Sequence, residues 1–139
     1  MTESVAYLDA SALVKLVVAE PESGALSHHL GEYRELFSAA LVVTELGRAV
    51  RRATDGMARD APTVLNRLAE VVDALALLDV DRRLLDDAAM VEPAMLRTLD
   101  AIHIAAARAL GEDLTAFITY DTRLGAAAAE LGMTVISPS

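Results

Sequence analysis

The sequence predicts an α/β domain built on a parallel sheet with helices on both faces. Two observations carry this. Short apolar runs alternate with helix-spaced apolar residues from one end of the chain to the other, and strands buried on both faces read as such runs. Hydrophobic residues make up 54% but aromatics only 4%, and Trp is absent, so the core is aliphatic and Ala-rich. That composition suits helices packed closely on a small sheet. At 139 residues, one domain spanning residues 1–139 is the expectation.

The organising stretch is Val5-Ala6-Tyr7-Leu8-Asp9, an apolar run that ends on a carboxylate. It reads as a buried strand. Leu13, Leu16 and Val17 then predict a helix from Ser11 or Ala12 to about Val18. Pro21 fits the first turn of a short helix over Glu22 to Leu30, ended by Gly31. Leu36 to Ala39 is a candidate strand, followed by a helix from Leu41 to Thr54. Asp55-Gly56 is a turn signal. Asp60-Ala61-Pro62 looks like a helix start with Asp60 near the cap, and Val64, Leu68, Val71 and Leu75 recur at helical spacing behind it. Leu77 to Val80 reads as a strand, and Asp81 can cap the helix after it. Glu92-Pro93 interrupts that helix. A further helix over Leu99 to Leu110 stops at Gly111. Thr115 to Tyr120 is the clearest late strand, and it too runs into a carboxylate, Asp121. A helix over Leu124 to Leu131 and a strand over Gly132 to Ile136 finish the pattern. No internal repeat, linker or low-complexity tract breaks it.

Composition also bounds the function. Cys is absent, which removes disulfides, thiolate nucleophiles and Cys-based zinc sites. No apolar run is long enough to span a membrane. The N-terminus lacks a basic segment followed by an apolar one, so a secretory signal is not indicated, and a cytoplasmic location is the simplest fit. The formal net charge of -9 argues against broad electrostatic affinity for nucleic acid. It leaves room for a nucleic-acid enzyme whose acidic residues hold divalent cations, and it suits a basic protein partner.

Four carboxylates stand in suggestive places. Asp9 and Asp121 each follow an apolar strand, and in an open α/β sheet ligands bind beyond the carboxyl ends of the strands. Asp100 opens an apolar helix, where the macrodipole alone would favour it. Glu45 lies in an otherwise apolar segment. By itself it would be an exposed helical residue pairing with Arg48, worth about 0.3 kcal/mol, and Asp121 by itself could be only a helix cap. Together the four point to a metal site, because clustered carboxylates repel one another and tend to take up protons unless a divalent ion neutralises them. Mg²⁺ prefers oxygen ligands and commonly needs one or two carboxylates. A pair of ions roughly 4 Å apart would stabilise the attacking and leaving oxygens of an in-line phosphoryl displacement. No Ser-His-Asp or Cys-His set and no glycine-rich phosphate loop competes for the role.

At this point the residues resemble a known family. Leu8-Asp9-Ala10-Ser11-Ala12-Leu13-Val14-Lys15, with Glu20-Pro21-Glu22-Ser23, is similar to the opening of the PIN-domain ribonuclease toxins, the VapC type of toxin–antitoxin pairs. Ser38 to Leu46 resembles the segment that carries the family's acidic Glu. Leu99-Asp100-Ala101-Ile102-His103 resembles its third acidic motif, and Ile118-Thr119-Tyr120-Asp121 its fourth. The resemblance covers nearly the whole chain, with little contributed by residues 56–95. It implies a five-stranded parallel sheet between helices, with the four acidic positions at Asp9, Glu45, Asp100 and Asp121. It further implies Mg²⁺- or Mn²⁺-dependent endoribonuclease action on transfer or ribosomal RNA. The implied partners are a cognate VapB-type antitoxin and a second copy of the chain, with a higher assembly when the antitoxin is bound.

Ser11 and Thr119 each lie two residues from a key Asp, and their hydroxyls are candidates to orient a carboxylate or a metal-site water. Ordinary turn or strand hydrogen bonding would equally explain them. His103 shares a helix face with Asp100, and a packed, hydrogen-bonded histidine is favoured over a metal or acid role. Arg48 and Arg52 follow Glu45 on one helix and are candidates to grip RNA phosphates, although a solvated face is the commoner outcome for such a run. Two other readings compete. A non-catalytic phospho-receiver-like or protein-interaction module of similar architecture would want a late Lys after a strand, and Lys15 is the only Lys. A phosphatase using Asp9 as nucleophile usually wants a second Asp two residues on, where Ser11 stands.

Overall fold

The computed structural model describes residues 4–55 and 61–139. Five parallel strands form one sheet: β1 Val5–Leu8, β2 Glu35–Ala39, β3 Ala76–Leu78, β4 Leu114–Ile118 and β5 Val135–Ile136. Their order is β3-β2-β1-β4-β5, which puts the first strand at the centre. The helices of the described residues are α1 Ala10–Val17, α2 Ser23–Leu30, α3 Val42–Ala53, α4 Ala61–Asp73, α5 Arg82–Ala89, α6 Thr98–Ala109 and α7 Thr122–Glu130.

Strand periodicity sorts the core into two layers. Ala6 and Leu8 of β1, with Ala116 and Ile118 of β4, pack among Leu13, Leu26, Val42, Leu46 and Val71, from α1 to α4. Tyr7 and Phe117 point the other way, among Leu84, Ala101, Ile104, Leu124 and Ala128, from α5 to α7. The Tyr7 ring stacks on Phe117 with centroids 5.3 Å apart. The run of small residues Ala105-Ala106-Ala107 is buried along α6, which lets that helix approach the sheet.

The topology opens one crevice. From β1 the chain lays β2 and β3 on one side, then returns to lay β4 and β5 on the other. Behind β1 the chain enters α1 on one face, and behind β4 it enters α7 on the opposite face. The gap between these diverging connections lies at the carboxyl ends of β1 and β4, the place where open α/β sheets bind ligands.

Several boundaries differ from the sequence expectation, mostly because a cap decides them. Asp9 caps α1, so that helix begins at Ala10. Asp121 caps α7, which begins at Thr122 rather than Leu124. β4 ends at Ile118; the Thr119 N–H still donates to Ile136 O of β5 at 3.2 Å, and Tyr120 leads into that cap. Pro21 lies in a turn ahead of α2 rather than in its first turn. The last strand is only Val135–Ile136, since Gly132 has φ +89, a left-handed conformation that closes α7 instead of extending a strand. Asp81 accepts the Leu84 N–H as the cap of α5, as expected. Gly56 of the Asp55-Gly56 turn signal and Asp60 of the helix start lie outside the described residues. Among the described residues no helix is long and apolar enough to cross a membrane.

Candidate active site

Asp9 follows β1 directly and is only 4% exposed. Its Oδ1 accepts the Ala12 N–H at 3.1 Å, which is the helix cap, and the Ser11 hydroxyl at 2.7 Å. Its Oδ2 accepts the Thr119 hydroxyl at 2.8 Å. Each hydroxyl thus spends its one proton on Asp9. Each hydroxyl oxygen also accepts: Ser11 Oγ from the Tyr120 N–H at 2.9 Å, and Thr119 Oγ1 from the Asp121 N–H at 3.1 Å. The carboxylate is therefore clamped by neutral donors alone, and no ion pair among the described residues reaches it. Burial pushes its pKa up, against the opposing pull of Ser11, Thr119, nearby His103 and the Ala12 N–H.

Asp121 uses Oδ1 to cap α7, accepting the Arg123 and Leu124 N–H groups at 3.0 and 3.1 Å. Its Oδ2 accepts from Arg97 Nη2 at 3.2 Å. Asp100, in the first turn of α6, accepts from Arg97 Nε at 3.1 Å. One guanidinium therefore spans two of the four carboxylates.

Glu45 sits in the first turn of α3, and its partner is His103 rather than Arg48: Oε1 lies 2.6 Å from His103 Nε2. The other ring nitrogen, Nδ1, is 2.7 Å from the Tyr7 hydroxyl. Tyr7 Oη also accepts the Ala39 N–H at 3.0 Å. Against an ionised Glu45 carboxylate, which can only accept, it is His103 Nε2 that donates. His103 is 2% exposed, so this chain crosses the core from β2 to α3.

All four carboxylates line one cavity of about 340 Å³, together with Ser11, Arg97 and His103. Thr119 donates to the Asp9 carboxylate and meets its sequence neighbour Asp121 only at the backbone N–H. Arg48 and Arg52 do not line this cavity; with Arg51 and Asp55 they line a separate hollow along α3. Sequence reasoning missed Arg97 and the role of Tyr7. Arg97 was findable, since it stands three residues before Asp100 at the spacing of a helical ion pair. Tyr7 was not, because its partner lies 96 residues away.

The donor set fits a hard divalent cation. Oxygen ligands dominate, and the buried Asp9 carboxylate meets only neutral donors, so an approaching cation would neutralise it. As the side chains stand, no three acidic or His groups among the described residues converge to hold an ion. Arg97 occupies the space between Asp100 and Asp121.

An α/β sheet with its acidic cavity at the switch point defines the class, and comparison with known proteins agrees with it. The PIN domain pattern matches residues 6–130. Ribonuclease VapC46 of Mycobacterium tuberculosis is 45% identical over 133 residues, covering 96% of this chain and 97% of the relative. The crystal structure of M. tuberculosis VapC20, described as a sarcin-ricin loop cleaving toxin, superposes with a TM-score of 0.71 at 14% identity, covering 96% of this chain and 99% of that one. VapBC2 from Rickettsia felis, solved bound to a DNA fragment from its promoter, gives a TM-score of 0.70 at 11% identity, with 97% and 99% covered. The chain belongs to the PIN-domain family and, within it, to the VapC proteins.

Proposed function

We propose that this chain is the toxin of a toxin–antitoxin pair, an endoribonuclease that hydrolyses RNA phosphodiester bonds with Mg²⁺ or Mn²⁺ held by Asp9, Glu45, Asp100 and Asp121. Residues 1–139 act as one catalytic domain. The observation that carries the reading is Asp9, a carboxylate 4% exposed and clamped by neutral donors, opening on a cavity shared with three more carboxylates. Such an arrangement costs stability unless a cation meets it. Membership among proteins named ribonuclease VapC supports RNA as substrate.

The side chains divide the work. Asp9, fixed from both sides by Ser11 and Thr119, is the immobile central ligand. Asp100 and Asp121 stand nearer the mouth as the next ligands. Glu45, aimed by His103, acts from the rim of the cavity. A divalent ion bound there would polarise the phosphoryl oxygens and acidify a water for in-line attack. Arg48 and Arg52, outside the cavity, would contact the RNA backbone away from the reacting phosphate. The partners that follow are a VapB-type antitoxin, in line with the VapBC2 likeness, and a second copy of this chain. Activity belongs in the cytoplasm, where such RNA is found.

The test is cleavage of total RNA, with transfer and ribosomal species resolved, by antitoxin-free protein in Mg²⁺, Mn²⁺ or chelator, beside Asp100→Asn. Discrete cuts that need metal and fall by about 10²-fold or more in the variant are expected. Cuts that survive chelator and variant alike would sink the acidic-site reading. A folded protein that binds RNA and never cuts it would favour a binding module.

A further inference from the structure

Arg97 is the one feature of the cavity that the metal-nuclease reading leaves unexplained. It precedes α6 in an extended conformation, with φ -63° and ψ 148°, and makes no cap bond with its side chain. Its guanidinium is instead spent on two carboxylates from different elements, Asp100 at 3.1 Å and Asp121 at 3.2 Å. The side chain is 64% exposed, whereas Asp100 and Asp121 are 13% and 27% exposed. An exposed guanidinium thus covers two less exposed carboxylates from the solvent side, at the mouth of the acidic cavity. The bonds are the kind that exchange readily: exposed ion pairs contribute little, and a divalent ion carries twice the charge onto the same oxygens.

We propose that Arg97 is the resident counter-cation of the site and that it changes partners during the catalytic cycle. It holds Asp100 and Asp121 while the metal is absent. A divalent ion displaces it from those carboxylates. The freed guanidinium, still tethered at the mouth, then meets the anion that arrives next, a phosphate of the RNA substrate. Arginine suits that second role because its planar fork matches a phosphate with two parallel N–H donors. This inference rests on the metal-nuclease reading and extends it by one residue that competes with the metal and binds the substrate.

The two roles predict effects of opposite sign in one variant. Mn²⁺ affinity is measured by titration calorimetry of the whole chain without antitoxin, for wild type, Arg97→Gln and Arg97→Lys. Steady-state cleavage at saturating Mn²⁺ gives KM and kcat for the same three proteins. Removing the competing cation in Arg97→Gln is expected to tighten Mn²⁺ binding roughly 3- to 10-fold, the scale of one or two exposed ion pairs. The same variant is expected to raise KM for RNA about tenfold, the scale of a lost charge-assisted hydrogen bond. Arg97→Lys, which keeps the charge but cannot fork, should fall between on both readings. Unchanged or weaker Mn²⁺ binding in Arg97→Gln overturns the proposal, and so does tighter Mn²⁺ binding with an unmoved KM. If wild type and variants alike bind no Mn²⁺, the metal reading itself has failed, and that result is distinct from a failure confined to Arg97.

Discussion

A carboxylate that is 4% exposed and bonded only to neutral donors has its pKa pushed up by burial, against the pull of its hydrogen bonds. The sign of the consequence can be worked through for Asp9. Its folded pKa is raised above the unfolded value, so it favours the folded state most at acid pH, below the unfolded carboxylate range of about 3.9. That contribution is lost progressively as pH rises towards and through the folded value, so the buried carboxyl burdens the fold as the pH leaves the acid range. In chelator at pH 7, Asp9→Asn should therefore melt higher than wild type, by about 4 °C for each kcal/mol recovered. The gap should close as the pH is lowered towards 4. Added Mn²⁺ should raise the melting temperature of wild type, by about 2.7 kcal/mol equivalent at a hundredfold excess over Kd. It should leave Asp9→Asn nearly unmoved, and cleavage by that variant should be lost. Scanning fluorimetry across pH and Mn²⁺ checks the melting shifts, and the RNA cleavage assay checks the loss of activity; a variant that melts lower in chelator at pH 7 would refute the assigned strain.

Four elements meet in the chain Ala39 N–H to Tyr7 hydroxyl to His103 to Glu45, which ties β2 and β1 to α6 and α3. Its members are buried at the core end and reach the cavity at the other, so it sets where α3 presents its carboxylate. Tyr7→Phe removes the hydroxyl and leaves the Ala39 N–H and His103 Nδ1 without partners, a loss of about 1–3 kcal/mol. His103→Gln keeps an N–H near the Nε2 position and should retain much of the kcat, whereas His103→Leu should lose kcat about as far as Glu45→Ala does. Equal activity of the Gln and Leu variants, at equal folded fraction by circular dichroism, would reduce His103 to packing. This chain also marks what the sequence could and could not convey. Asp9, Asp100 and Asp121 were legible because each sits at a boundary between strand and helix or at a helix start, which local pattern reveals. Five parallel strands were legible for the same reason: each is a short apolar run between helical patterns. The pairing of Glu45 was not, since local spacing offered Arg48 and the real partner lies 58 residues on. Thr119 was legible as a hydroxyl able to orient a carboxylate, but that the carboxylate would be Asp9, across the β1–β4 pair, was not.

Charge is the property of the whole molecule that most constrains its meeting with RNA. With 12 Lys and Arg against 21 Asp and Glu, the chain repels a polyanion at long range. On the proposed function, binding would then depend on local groups: divalent ions at the carboxylates, Arg97 at the mouth, and the exposed Arg48, Arg51 and Arg52 lining their own hollow on α3. Each phosphate neutralised contributes about -0.7 to the slope of log affinity against log salt for single-stranded RNA. Four arginines therefore bound the slope near -3, by the same counting. For the cleavage-silent Asp100→Asn variant, filter binding across a salt series should give a slope no steeper than that. Arg48→Ala or Arg52→Ala should each make it shallower by about 0.7 while weakening binding evenly across RNA sequences. A slope well beyond -3 would mean that more cations reach the RNA than one copy of this chain offers near its cavity, and would direct attention to a second copy laying its own arginines along the same strand. A slope near zero, with binding intact, would instead assign recognition to base contacts and remove Arg48 and Arg52 from the RNA path.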